Sequence, residues 1–229
     1  DAIPTGSAGV ALQMLKESKE STNTMNENAI NSQNNDKLLT ILLVSGPQGT
    51  GKTTLVNRLI AESNGTFVPP TFIDSTKDPV NFEQLQRRDS FLQVDRTGRF
   101  GLTADSIKKS ATEAAKEKEN KNIVVIDSSV VLAKRLIKSL SSDVRLVGVW
   151  VGLDTLDKFE ERLDIQLQSG DLQVEVDETP ESTVRNKLRE IVKDIEYGVV
   201  SGVFEFTILN DNLEKSIIQL KEAADYCFK

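Results

Sequence analysis

The stretch SGPQGTGKTTLVNRL (residues 45–59) contains G-x-x-x-x-G-K-T, running from Gly46 to Thr53. Gly46, Gly49 and Gly51 let the backbone curl and approach an anion closely, so that successive N–H groups turn inward. Thr50 and Thr54 complete the loop, and a helix beginning near Lys52 adds its positive end. In such a loop Lys52 reaches the β- and γ-phosphates of a nucleotide, and the Thr53 hydroxyl coordinates Mg²⁺. The pattern carries weight only between a buried strand and a helix. Both flanks are present. LLTILLVSG (38–46) is a continuous apolar run ending in glycine, and GKTTLVNRLIAES sets Leu55, Val56, Leu59 and Ile60 at helical spacing.

Outward from the loop the same alternation continues. NIVVID (122–127), RLVGVWVG (145–152) and FEFTIL (204–209) are further strand candidates. Between and after them lie helical patterns. Val131, Leu132, Leu136 and Leu140 form one stripe, and Leu156, Phe159, Leu163 and Leu167 a second. Val184, Leu188, Ile191 and Ile195 form a third, and Leu213, Ile217, Leu220 and Ala224 a fourth. Strand and helix in turn predict an α/β fold of three αβα layers, a parallel sheet covered on both faces. Two segments interrupt the alternation, 66–103 and QSGDLQVEVDETP (168–180). Ligands of open α/β sheets bind beyond the strands' carboxyl ends, so both segments are candidates for covering a substrate. Asp127 closes a strand, where it either caps the next helix or reaches the phosphate loop.

Composition narrows the chemistry. Of 229 residues, 38% are apolar and 28% charged, an ordinary globular balance. The net charge of −7 speaks against a nucleic-acid groove. No apolar run is long enough to span a membrane. With one cysteine, Cys227, and no histidine, an internal disulfide, Ser-His or Cys-His catalysis and a histidine metal site are all excluded. Nucleotide use without disulfides points to a soluble intracellular space, cytoplasm or organelle matrix. Residues 1–37 hold an Asn/Ser/Thr-rich stretch with little to bury and are expected to be a flexible tail. VALQMLKESKE (10–20) within it could form a short helix that docks on a protein partner.

From residue 38 onward the chain resembles guanylate kinases. SGPQGTGKTTLVNRL is similar to that family's SGPSGVGKSTL loop, and VWVGLDTLDKFEERL to the strand and helix before its lid. Asn210-Asp211-Asn212-Leu213-Glu214 matches its closing N-D-x-L-E motif. The resemblance implies a five-stranded parallel core over 38–229, a monophosphate-binding insertion (66–103) and a mobile lid (168–183). It also implies Mg-ATP on the 46–54 loop, Asn210 beside the adenine, and phosphoryl transfer to GMP or a related small phosphorylated acceptor.

The departures fall on the acceptor side. Where the family carries Thr-Arg-x-Pro-Arg, this chain has Thr76 and Lys77, with Val80 at the second arginine. A lysine keeps the charge but loses the bidentate fork. The strand carrying the family's phosphate-binding tyrosine is missing, which shortens the insertion. Gln93 replaces the guanine-reading glutamate, and Phe100 replaces a tyrosine, while Asp127 is retained. The lid stretch QLQSGDLQVEVDETPES is acidic and lacks the family's clamping arginines. Lys187 holds the register of the last of these, with Arg185 and Arg189 on either side. Lys52, Lys187 and Arg185 are thus the candidate catalytic cations. Thr76, Lys77, Gln93, Phe100 and Asp127 are the candidate acceptor residues. Three readings remain: a phosphotransferase, a nucleotide-binding scaffold or assembly subunit, and a nucleotide-dependent switch.

Overall fold

A computed structural model describes residues 39–95, 97–116, 122–140, 144–174 and 177–229. The tail over 1–37 and its partner-docking helix lie outside these residues. The core is a five-stranded parallel sheet in the order β2-β6-β1-β7-β8. Its strands are β2 (Phe67–Val68), β6 (Ile123–Ser128), β1 (Leu39–Ser45), β7 (Val144–Gly152) and β8 (Phe206–Leu209). Among the described residues seven α-helices accompany it: α1 (Lys52–Glu62), α2 (Pro79–Arg87), α3 (Ala104–Lys116), α4 (Val130–Ser139), α5 (Leu156–Ser169), α6 (Pro180–Val200) and α7 (Leu213–Ala224). The expected three-layer α/β architecture is therefore what the chain adopts.

The period-two geometry of β1 divides the core. Leu42 and Val44 join Leu55, Val56 and Leu59 of α1 and Ile217 and Leu220 of α7. Ile41 and Leu43 face the other way, onto Ile107 and Ala111 of α3 and Leu132, Ala133 and Leu136 of α4. All four β1 side chains are fully buried, each contributing about 1.5–3 kcal/mol relative to exposure. A third cluster forms around Trp150, with Phe159 and Leu163 of α5 and Val184, Leu188, Ile191 and Ile195 of α6.

Three details depart from the sequence expectation. Val131 is 61% exposed, because Ser129 caps α4 and sets the buried stripe at Val130, Leu132, Ala133 and Leu136. Leu213 is the first residue of α7 and is 37% exposed, the buried stripe starting at Ser216 and Ile217. Phe67–Val68 lies inside the expected insertion yet pairs in parallel with β6 as a core strand. Two residues are too few to carry a readable period.

The insertion itself holds a small antiparallel sheet, β3-β5-β4, and α2. Its strands are β3 (Ile73–Asp74), β4 (Phe91–Val94) and β5 (Phe100–Thr103). Phe82 of α2 packs its ring 4.6 Å from that of Phe91. The described residues of the expected lid, 168–174 and 177–183, include the end of α5 and the start of α6. Leu172 anchors it in the Trp150 cluster, and a Thr179–Ser182 capping box starts α6.

Two outcomes follow from this packing. A methyl group on Gly148 would lie 2.2 Å from the Val203 carbonyl oxygen, a backbone atom with little room to retreat. Gly148→Ala is expected to destabilise the fold by about 1–3 kcal/mol in urea unfolding, whereas Val131→Ala stays within about 0.5 kcal/mol. Burial raises the Cys227 thiol's pKa to about 12. The native protein at neutral pH should therefore react with a thiol reagent far more slowly than the urea-unfolded chain.

Candidate functional site

The phosphate loop leaves β1 at Ser45. A side chain at Gly46 would run into the backbone oxygen of Val151 on β7, 2.0 Å away, so the neighbouring strand itself requires glycine. Gly49 and Gly51 have φ of 80° and 82°, the left-handed region that disfavours any other residue. Gly51 opens α1 with no side-chain cap, which leaves the first N–H groups of the helix to an incoming anion. Thr50 is buried and its hydroxyl donates to the Pro47 carbonyl at 3.0 Å. Lys52 Nζ donates to the same oxygen at 2.7 Å, so the ammonium folds back over its own loop. Burial lowers the Lys52 pKa, while Asp127 and Asp194 oppose that shift. Thr54 is exposed on α1.

Parallel pairing of β1 and β6 sets Val44 opposite Asp127. The carboxylate thereby meets the start of α1, and Thr53 Oγ1 donates to Asp127 Oδ2 at 2.5 Å. The cap of α4 is Ser129, which accepts from the Leu132 amide. Of the two roles open to Asp127 in the sequence, the geometry thus gives it the one facing the loop.

Arg162 of α5, absent from the sequence-derived candidates, ties this loop to the end of β8. Its guanidinium donates 2.9 Å bonds both to the Gly49 carbonyl and to the Asn210 carbonyl. Asn210 is buried, and its Nδ2 donates to the Thr50 carbonyl at 2.8 Å. A side chain on Gly51 would sit 2.6 Å from that nitrogen. Asn210 Oδ1 and Gln166 Oε1 are buried without a hydrogen-bond partner among the described residues. No local pattern marks Arg162, since EERL reads as an exposed charged turn. Only the fold brings the two carbonyls to it.

A cavity of about 400 Å³ opens between the loop and α6, bordered by Gly46, Lys52, Thr53 and Asp127 on one side and by Lys187, Glu190, Ile191 and Asp194 on the other. Gln93 of β4 and Ser129 also face it. Desolvation raises the Asp194 pKa, Glu190 adds to this, and Lys134 and Lys52 oppose it. Lys187 donates to Glu190 at 2.7 Å. The remaining sequence-derived candidates lie elsewhere. Thr76 is exposed and donates to Asp74 through its amide and hydroxyl, and Lys77 beside it is exposed. Phe100 lies beneath the Arg99 guanidinium, 4.8 Å from its ring centre. Arg185 is exposed on α6 and does not border the cavity.

Residues 42–145 match the family model described as "ATPase family associated with various cellular activities (AAA)". Over 194 residues the chain is 27% identical to guanylate kinase of Homo sapiens, covering 80% of this chain and 90% of that protein. The guanylate kinase of Sus scrofa is 26% identical over the same shares. That of Chlamydia felis (strain Fe/C-56) is 29% identical, covering 79% and 85%. Among solved structures, a gluconokinase from Sinorhizobium meliloti 1021 aligns with a TM-score of 0.40 at 15% identity, over 83% of this chain and 95% of that one. A shikimate kinase from Bacteroides thetaiotaomicron aligns at 0.39 and 14%, over 81% and 98%. At these scores the two structures have no bearing on the site.

If Arg162 holds the loop, its loss should loosen the loop before it loosens the fold. Arg162→Gln is expected to raise amide hydrogen exchange in Gly49–Thr53 by about tenfold, a local opening cost of roughly 1.4 kcal/mol. Exchange in α7 should change little.

Proposed function

The chain being guanylate-kinase-like, we propose that it is a phosphotransferase. It takes Mg-ATP on residues 46–54 and passes the γ-phosphoryl group to GMP or a related small phosphate-bearing acceptor. The observation that carries this reading is the Thr53–Asp127 contact beside Lys52, at the carboxyl ends of adjacent parallel strands. A hydroxyl and a carboxylate are hard oxygen donors and fit Mg²⁺, which keeps most of its shell for water and phosphate. Among the described residues no cluster of three or more metal-ligating side chains occurs, and a metal shared with the nucleotide needs none. When bound, Mg²⁺ neutralises charge on the transferring phosphate.

The chain's own residues do the rest. The N–H groups at the start of α1 and the Lys52 ammonium, turned outward from Pro47, hold the β- and γ-phosphates. Thr50 and the Arg162–Asn210 bracket keep the loop in shape. Asn210 is the residue that the guanylate-kinase resemblance sets beside the adenine. Lys187, at the cavity edge, supplies the cation that the lid does not. Gln93 faces the acceptor, with Thr76, Lys77 and Phe100 on the same three-stranded unit.

One observation favours a second reading, a nucleotide-binding scaffold without transfer. The described part of the lid, 168–174 and 177–183, carries no basic residue to clamp a transferring phosphate. A coupled ADP-release assay with a panel of acceptors separates the two, since a scaffold binds ATP and releases no ADP with any of them. Lys52→Ala is expected to reduce Mg-ATP affinity by more than about a hundredfold in calorimetry. Turnover of GMP should fall about 10²-fold below that of a guanylate kinase with its full arginine set, the cost typical of one lost transition-state donor. GMP turnover at the ordinary rate would remove the case for a divergent acceptor site.

A further inference from the structure

The cavity beside the phosphate loop carries more negative charge than a triphosphate site can readily hold. Lys52 and Lys187 border it, against Asp127, Glu190 and Asp194. Two of these carboxylates are engaged, Asp127 by Thr53 and Glu190 by Lys187. Asp194 is half-buried and, among the described residues, has no hydrogen bond or ion pair of its own. An uncompensated carboxylate there repels a triphosphate and attracts the Lys52 ammonium, and both effects oppose nucleotide binding. α6 has little freedom to carry Asp194 away. A side chain on Gly198, one turn further along, would meet the Trp150 ring at 2.7 Å. Ile191 and Ile195, on either side of Asp194, are buried in the Trp150 cluster. The charge has to be met where it stands.

The group that meets it comes from α4. Tyr197 follows Asp194 at i+3, the spacing at which helix side chains are neighbours. Lys134 Nζ lies 4.2 Å from the centre of the Tyr197 ring. Among the described residues Lys134 has no ion pair, so the ring face holds its ammonium on the Asp194 side of α6 with no competing carboxylate in contact. Burial works against an ionised Asp194, while Lys134 and then Lys52 favour it. Ser129, the cap of α4, borders the cavity, which sets Lys134 about one and a half turns behind the cavity wall.

We propose that Lys134 is a positioning residue of the nucleotide site: seated on the Tyr197 ring, it neutralises Asp194 from behind and leaves Lys52 to the phosphates. This rests on the reading of the cavity as a Mg-ATP site, and it gives Lys134 no contact with nucleotide or acceptor. In the empty site Lys52 donates to the Pro47 carbonyl and has to swing into the cavity to reach a phosphate. With Lys134 in place that swing ends on the phosphate. Without it, Asp194 competes for the ammonium.

The test is a double-mutant cycle on the full chain, read by Mg-ATP calorimetry at pH 8 and low ionic strength. Lys134→Met keeps an unbranched side chain on the ring and removes the charge. It should weaken Mg-ATP binding about tenfold, whereas Lys134→Arg, which keeps the cation, should stay within about twofold of the wild type. Asp194→Asn alone should bind at least as tightly as the wild type. Adding Asp194→Asn to Lys134→Met should restore affinity to within about twofold of the wild type, a rescue that a merely structural Lys134 would not show. Unchanged affinity in Lys134→Met, or a double variant no better than Lys134→Met, overturns the proposal. So does weaker binding in Asp194→Asn alone. Absence of Mg-ATP binding in the wild type would instead overturn the phosphotransferase reading. The same cycle in urea unfolding then decides the pairing: relief of the Lys134→Met stability loss by Asp194→Asn supports it, and additive losses overturn it.

Discussion

The parallel pairing of β1 with β6 is the constraint on which the site depends. Its register sets Val44 beside Asp127 and so delivers a carboxylate to the Thr53 hydroxyl at the first turn of α1. A shift of one residue would turn Asp127 to the other face of the sheet and break that contact. The register is held by burial, because Leu42 and Val44 must face α1 and α7 while Ile41 and Leu43 face α3 and α4. Packing energy on both faces of one strand therefore fixes a polar geometry at its end. On the other flank, β7 approaches so closely that position 46 admits only glycine.

Around that pair the loop is held by hydrogen bonds to its carbonyl groups. Pro47 receives Thr50 and Lys52, Gly49 receives Arg162, and Thr50 receives Asn210. With the carbonyls occupied, the N–H groups are left to face an anion. The Arg162–Asn210 link also joins α5 to the β8–α7 turn, the two segments flanking the loop. This places the donor side on rigid elements. The proposed acceptor side is built differently, from a small three-stranded unit and one face of α6, with exposed side chains at most of its candidate positions.

Much of this was legible in the sequence. The β1, β6 and β7 strands are apolar runs of 7, 6 and 9 residues and β8 is a shorter one of 4, and the loop's glycines and lysine carry their own chemistry. What was missed has physical causes. A two-residue strand such as β2 shows no period. Val131 and Leu213 sit at or next to helix starts, where the cap and not the apolar spacing sets the phase. Arg162 bonds only to backbone carbonyls distant in sequence, and such bonds leave no trace in residue spacing. Asp194 lies within a helical stretch of alternating charge and reads as a solvated residue until α6 is packed against the loop. Of the acceptor residues that motif comparison pointed to, Gln93 and Asp127 border the cavity while Thr76, Lys77 and Phe100 do not, and of the catalytic cations Arg185 does not.

The central claim is that residues 46–54, with Asp127, form a working site for a magnesium-bound triphosphate. The most direct measurement is a titration of the ¹⁵N-labelled protein with ATP, in the presence and absence of Mg²⁺, followed by amide chemical shifts. Saturable shifts at Gly49, Gly51, Lys52 and Thr53, tightened by Mg²⁺ in the wild type but not in Asp127→Asn, are the predicted result. Shifts that are absent from the loop, or that do not respond to Mg²⁺, would contradict the account.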